Sequence, residues 1–316
     1  MATHQLRPER ATLHGSFSRE RPPALTIDSG DTVRAQTLDS GWSVEPRRSA
    51  DPNDRPRTFE PRDPERDAGH ALCGPIAVRG AEPGMTLAIH INDIRPAAWG
   101  VTFAGGWTSR VNTALGIAET PGIAHLWQLD ADAMTGRNQH GHEVRLRPFM
   151  GVMGMPPDAP GDHSTIPPRV CGGNIDCREL VAGSTLYLPV SVPGALFSVG
   201  DGHAAQGDGE VSTTAIECPM ELVELTFELL PEMRITTPRA ETPAGWLTLG
   251  FDTDLHDASM RALDAMLDLM GERYGVSRLD AVALASVAVN LRITQVVNGG
   301  VVGAHALLPH DAIRLT

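Results

Sequence analysis

Residues 199–211 read VGDGHAAQGDGEV, with Asp201, His203, Gln206, Asp208 and Glu210 set among four glycines. Glycine lets the backbone take positive φ and pass close to a ligand. Carboxylates, an imidazole and a carboxamide held on such a backbone suit metal ligation, proton transfer or both. Strand parity sharpens the reading. Ala195, Phe197 and Val199 share a face, and Asp201 falls on it next. In TLAIHIND, Leu87, Ile89 and Ile91 share a face, and Asp93 falls on it next. A carboxylate that ends an apolar row is costly unless it is paired, hydrogen-bonded or bound to a metal. Alone, each aspartate would ordinarily accept N–H bonds from a following turn. Together, and with His203 close behind one of them, they suggest a divalent-ion site built from Asp93, Asp201 and His203.

The glycine-acid stretch is neither a P-loop, which needs GxxxxGK[ST], nor an EF-hand, because acids are missing at the third and fifth loop positions. A second loop, RVCGGNIDCREL at 169–180, places Asn174 and Asp176 after a Gly-Gly pair. These residues could form a turn or orient ligands. No GxSxG elbow is present, so serine-hydrolase chemistry finds no support.

These groups need elements to hold them. The 316 residues are rich in glycine (32) and proline (25), which favours short strands over long helices. Strands are expected within 11–50, on either side of the GAEPG turn in 72–94, and at 143–148, 184–192 and 221–229. In the last of these, Val223, Leu225, Phe227 and Leu229 alternate with polar residues. A helix is expected over 257–273, capped by Asp257 and stopped at Gly275. A second, nearly all-apolar helix should follow Ser277 and be buried, with Asp280 at capping-box spacing. The last stretch, 300–313, adds a strand or a turn of helix. Residues 51–69, DPNDRPRTFEPRDPERDAG, are too proline-rich and charged for a central strand and read as a surface arm. The architecture is therefore mostly β, of α+β type. Three parts are expected: 1–150 with the arm, 151–230 with the glycine-acid motif, and 231–316 with the helices.

Composition narrows the function. The 26 Lys and Arg against 39 Asp and Glu give a net charge of −13, which argues against nucleic acid as a partner. No apolar run is long enough to span a bilayer and no signal peptide is expected, so the reading is a cytoplasmic chain that does not engage membranes. Cys73, Cys171, Cys177 and Cys218 form no CxxC pair and read as reduced, buried small side chains.

The segment PGALFSVGDGHAAQGDGEV (193–211) resembles the central motif of the acetamidase/formamidase family. GHALCGPIAVRGAEPGMTL (69–87), INDIRP (91–96), RPFMGVMGMPP (147–157), GGNID (172–176) and TAIE (214–217) match in the same order. The resemblance covers roughly 25–310. It implies hydrolysis of short linear amides to carboxylate and ammonia. It implies a fold with a β-sandwich, a small β-barrel portion and a C-terminal α/β roll, and it implies homo-oligomers, here expected to be dimer-based. Zinc, or else calcium, is associated with that fold. On this resemblance together with the chemistry above, Asp93, Asp201 and His203 are expected to ligate the metal. Glu210 or Asp208 is expected to move the proton, with His203 also in the reacting set. Gly202, Gln206, Gly209, Asn174 and Asp176 are expected to meet the substrate, with backbone N–H groups between Gly202 and Gly209 offered to an oxyanion. The alternative is a non-catalytic ligand-binding or assembly protein on the same fold. The chain departs from the family pattern at Ser212-Thr213, where Cys-Gly commonly follows the motif, and in its long charged arm.

Overall fold

A computed structural model describes residues 1–51 and 53–314. Four sheets and two substantial helices are found among the described residues. The largest sheet has nine strands. Its middle runs Thr32–Thr37, Met220–Leu230, Thr86–Pro96 and Thr185–Pro189, and its far end runs Arg239–Thr242, Gly245–Asp252, Val301–Leu308 and Asn290–Asn298. A six-stranded sheet packs against it, ordered Gly172–Asn174, Phe149–Gly154, Phe197–His203, Leu72–Val78 and Leu13–His14, with Leu25–Ile27 parallel to Leu72–Val78. Inner faces from both sheets fill one core, in which Ile89, Ile91, Val223 and Leu225 meet Cys73, Ile76, Met150 and Val199. Phe197 and Phe227 touch edge to face across it, with ring centroids 5.2 Å apart.

The mostly β, α+β expectation holds. Among the described residues every sheet is open, so the expected small barrel portion is instead an open four-stranded sheet, Trp99–Ala104, Ile123–Asp130, Thr135–Asn138 and Glu143–Arg145. Most of that sheet escaped the sequence reading. The alternation over 221–229 is real: Val223, Leu225 and Phe227 are buried and Glu228 is exposed.

The first long helix spans Leu255–Tyr274. Asp254, rather than Asp257, caps it by accepting from His256 and Asp257 N–H, and Gly275 ends it at φ 66°. The second helix, Arg278–Ala288, has the expected Ser277 cap, which accepts from Asp280 N–H. It is less buried than its composition predicts. Only Ala281 and Ala285 are buried, while Leu279 and Val287 are 81% and 84% exposed. The helix packs on one side against its neighbour, Leu284 included, while Leu279, Val282 and Val287 are exposed on the far face.

The charged arm is tied down at its end. Asp67 is fully buried and accepts from Arg10 Nη1 (2.6 Å), Arg10 Nη2 (3.1 Å) and Asp63 N–H (2.8 Å). Such a two-pronged pair is strong, and removing one member strands the other. Asp67→Ala should lower the free energy of unfolding by on the order of 2–3 kcal/mol, read from the urea midpoint. A midpoint equal to wild type would mean that the pair does not anchor the arm.

Candidate functional site

The six-stranded sheet converges on one point. Phe149 pairs with His203, Met150 with Gly202 and Val152 with Gly200, so Gly151 lies opposite Asp201. On its other side, Gly151 O accepts from Ile175 N–H (3.0 Å) and Asp176 N–H (3.2 Å). A Cβ at Gly151 would lie 2.5 Å from Asp176 Oδ1, 2.6 Å from Asp201 Oδ2 and 2.8 Å from His203 Cε1. Glycine there leaves room for two carboxylates and an imidazole to meet. The backbone also aims them. Asp176, Asp201 and Glu210 all have left-handed φ, at 51°, 59° and 47°, a region that costs a non-glycine residue roughly 1–2 kcal/mol.

Glu217 completes the cluster. It bridges His203 on one side and Val101 of the four-stranded sheet on the other. Its Oε1 accepts from Ala215 N–H (2.8 Å) and lies 3.3 Å from His203 Nε2. Asp201 Oδ1 lies 3.4 Å from the same nitrogen. Asp176, Asp201, His203, Glu210 and Glu217 are all buried, at 6% exposure or less.

The tautomer of His203 follows from its neighbours. Gln206 Nε2 donates to Asp176 O (2.8 Å), so Gln206 Oε1 faces His203 Nδ1 at 2.9 Å and accepts its proton. Nε2 is thereby left toward Asp201 and Glu217. Asn298 Nδ2 donates to Asp176 Oδ2 (2.5 Å) and fixes that carboxylate. After these bonds, Asp176 Oδ1, Asp201 Oδ1, His203 Nε2, Glu210 Oε2 and Glu217 Oε2 remain buried with no protein partner. Two triads with ligand atoms within 4.8 Å of one another share the imidazole: Asp201–His203–Glu217 and Asp176–His203–Glu210. Because Gln206 occupies Nδ1, the first triad is the one whose imidazole nitrogen, Nε2, can ligate once it gives up its proton. One imidazole nitrogen and carboxylate oxygens form a donor set that fits a divalent cation.

Crowded acids compete for protons. Burial, reinforced by Asp201, pushes Asp176 up to about 7 against the pull of His203. Burial and the Asp176 charge push Glu210 well above the ordinary carboxylate range. Burial alone would raise Asp201 too, but His203 outweighs it and holds Asp201 down. Burial opposes the charge on His203, yet Glu217 and Asp201 raise it well above its usual value. Asp39, close by, is pushed up to about 6, chiefly by burial.

Several expected residues lie elsewhere. Asp93 is exposed on the nine-stranded sheet and pairs with Glu224. The register shifts between Glu224 and Leu225, so Asn92 and Asp93 both face solvent and Ile94 takes the buried position. This bulge breaks the parity that had placed Asp93 in the core. Asp93 is therefore no ligand in this cluster. Asp208 is exposed at the loop tip, 3.9 Å from Arg292 Nη1. Gly202 belongs to the strand and packs against Cys218 O and Met220. Gly209 N–H is committed to Thr294 O (3.0 Å), so it is not free for an oxyanion. Asn174 is buried, its carbonyl accepts from Asn298 Nδ2 (3.2 Å), and it stands beside the cluster. Gln206 positions His203. Gly151 and Asn298 carry no role in the sequence reading, and Glu217 appears there only as the last residue of the TAIE segment. All four cysteines are buried, and burial pushes the Cys73 and Cys177 thiols up to about 12, as befits structural side chains.

Two cavities flank the cluster. One, of about 340 Å³, is lined by Gln206, Glu210, Ser212, Trp127 and Ile216. The other, of about 410 Å³, is lined by Asp39, Glu217, Arg47, Arg55 and Phe103. The arm thus walls the second cavity through Arg55, Pro56 and Thr58. Thr213 sits at φ 70°, a left-handed position where a β-branched residue is strained. The resemblance puts glycine there.

A β-sandwich whose central strands carry a buried acid-and-histidine cluster is the class that this geometry defines. The acetamidase/formamidase family profile matches residues 2–161 and 159–314, and the chain belongs to that family. The acetamidase of Mycolicibacterium smegmatis is 25% identical over 263 residues, covering 66% of this chain and 63% of that protein. The formamidase of Methylophilus methylotrophus is 26% identical over 254 residues, covering 63% of this chain and 60% of that protein. The matched region thus spans 60–63% of these relatives' own length. The crystal structure of the acetamidase from Bacillus halodurans superposes with a TM-score of 0.83 at 28% identity, covering 96% of this chain and 97% of that one. Among the described residues no helix is long and apolar enough to cross a membrane.

Two outcomes follow. Gly151→Ala should leave the protein folded but displace Asp176, Asp201 and His203. Activity should fall by about 10²-fold, as small misplacements of reacting groups do. Activity within threefold of wild type would show that the floor is not needed. The second outcome concerns pH. Asp176, Glu210 and His203 all bind protons more tightly folded than unfolded. Stability of chelator-treated protein should therefore fall as pH rises above about 6.5, the ordinary histidine value. His14 and His305, held by burial at about 3 and about 4, work in the opposite direction but only below the ordinary histidine value. Urea midpoints across that window check the sign, and a rising midpoint would contradict it.

Proposed function

We propose that this chain is an amidohydrolase that cleaves a linear amide to carboxylate and ammonia at the Asp201–His203–Glu217 and Asp176–Glu210 cluster. The observation that carries this reading is the set of four buried carboxylate oxygens without a protein partner around an imidazole whose Nε2 is likewise unpartnered. Membership of a family whose relatives are named for acetamide and formamide cleavage supports it.

Asp201, His203 Nε2 and Glu217 would hold a divalent ion. The nitrogen donor favours zinc, with calcium, which prefers oxygen, as the alternative. When bound, such an ion lowers the pKa of water and polarises a carbonyl. The remaining work falls to this chain's own side chains. Glu210 takes a proton from the attacking water and returns it to the departing nitrogen: its Oε2 is buried beside His203 without a protein partner, and burial with the Asp176 charge raises its proton affinity. Asp176, fixed by Asn298, raises the proton affinity of Glu210 through its charge. Gln206 holds the imidazole in the Nδ1–H tautomer, which keeps Nε2 directed at the acids. Burial excludes bulk water, which strengthens each of these charges. The chain acts in the cytoplasm as a dimer-based homo-oligomer, for which the exposed apolar face of the Arg278–Ala288 helix is the supporting feature.

The test is ammonia release from a panel of neutral amides by wild type and by Glu210→Gln. Wild type should release ammonia, and Glu210→Gln should lower kcat by roughly 10²–10⁴-fold with an unchanged melting temperature. Release at the wild-type rate by the variant would take the proton role from Glu210. No release from any amide by wild type would sink the reading.

A further inference from the structure

We infer that the cavity beside Glu217 binds the acyl tail of the substrate and that Arg47 and Arg55 select a tail bearing a carboxylate, as in a short dicarboxylic monoamide. The inference rests on the amidohydrolase reading above. Glu210 must face the departing nitrogen to protonate it, so the nitrogen side of the amide points to the cavity lined by Glu210, Gln206 and Ser212. The acyl side then points the other way, toward the cavity lined by Glu217. That cavity measures about 410 Å³, within the usual range of pockets for sizeable ligands and far more than a one- or two-carbon acyl group fills.

Its walls are specific. Among its charged lining residues, Asp39 and Glu217 are set against Arg47 and Arg55, with Ser40, Ser43 and Thr58 as hydroxyl neighbours. Asp39 Oδ1 accepts from Ser43 N–H at 2.6 Å. Arg47 is held in place: its Nη2 donates to Asp51 O (3.0 Å) and Asp54 O (2.5 Å), and its guanidinium lies over Phe103, 4.9 Å from the ring centroid. Its Nε remains buried without an acceptor. A guanidinium pre-organised by backbone carbonyls and an aromatic ring in the wall of this cavity suits a ligand carboxylate. This also gives the charged arm a task, since Arg55, Pro56 and Thr58 wall the cavity.

The experiment compares succinamate with butyramide, by turnover and by calorimetric binding, in wild type, Arg47→Gln and Arg55→Gln. Wild type should prefer succinamate in kcat/KM by about tenfold or more. In Arg47→Gln the succinamate-to-butyramide ratio should fall by roughly 10–100-fold, mainly through KM. Arg55→Gln should lower the same ratio, which guards against local unfolding of the arm in the first variant. Hydrolysis of butyramide with no preference for succinamate overturns this inference and leaves the amidohydrolase reading standing. Arginine-dependent binding of succinamate without hydrolysis of either amide supports the anion site and removes that reading. Failure to bind succinamate at all overturns the inference.

Discussion

Burying Asp176, Asp201, Glu210 and Glu217 around the imidazole of His203, with Asp39 buried close by, is the constraint on which this structure turns. Carboxylates at such spacing in a dry interior cannot all be ionised unless positive charge joins them. His203 supplies one such charge at most. The remainder must come as protons or as a divalent cation, and the two alternatives are linked: acids that hold protons in the bare protein surrender them to a metal. The raised affinities of Asp176 and Glu210 and the unpartnered ligand atoms of Asp201, His203 and Glu217 are thus two expressions of one electrostatic problem.

The fold is arranged to meet that problem. Strand register puts Gly151 against Asp201, and the absence of a side chain there opens the volume into which the acids point. Left-handed backbone at Asp176, Asp201 and Glu210 is an expense that the surrounding pairing sustains. Glu217 is locked between His203 and Val101, so the four-stranded sheet and the sandwich each hold one side of the cluster. Asn298, near the end of an edge strand, reaches Asp176, while the same strand pairs with Gly209 of the glycine-acid loop. Distant parts of the chain are therefore coupled through one site.

How much of this was legible in the sequence depended on range. Asp201, His203, Gln206 and Glu210 lie within one short stretch, and their residue types announced them. Glycine at 151 looks like any other strand glycine until its partner strand is known. Glu217 and Asn298 reach the site by pairing across many residues, which no local pattern encodes. Asp93 failed for a different reason: parity counting assumes an unbroken strand, and the bulge near Asn92 inverted it. The Arg278–Ala288 helix shows the limit of composition, because an apolar helix at the edge of a single chain leaves open what covers its outer face. The Ser277 cap, the Gly275 stop and the alternation over 221–229 were read correctly because each is set by neighbours within a few residues.

The most direct test of the account is anomalous diffraction from crystals of protein purified without added chelator, recorded on both sides of the zinc edge. The account requires one strong peak within bonding distance of His203 Nε2, with carboxylate oxygens of Asp201 and Glu217 completing the inner shell. A peak held by His203 Nδ1, with Gln206 displaced, would contradict the tautomer on which the site is built. A map with no ion, in protein that still cleaves amides at full rate, would contradict the central claim that a divalent cation balances the buried acids.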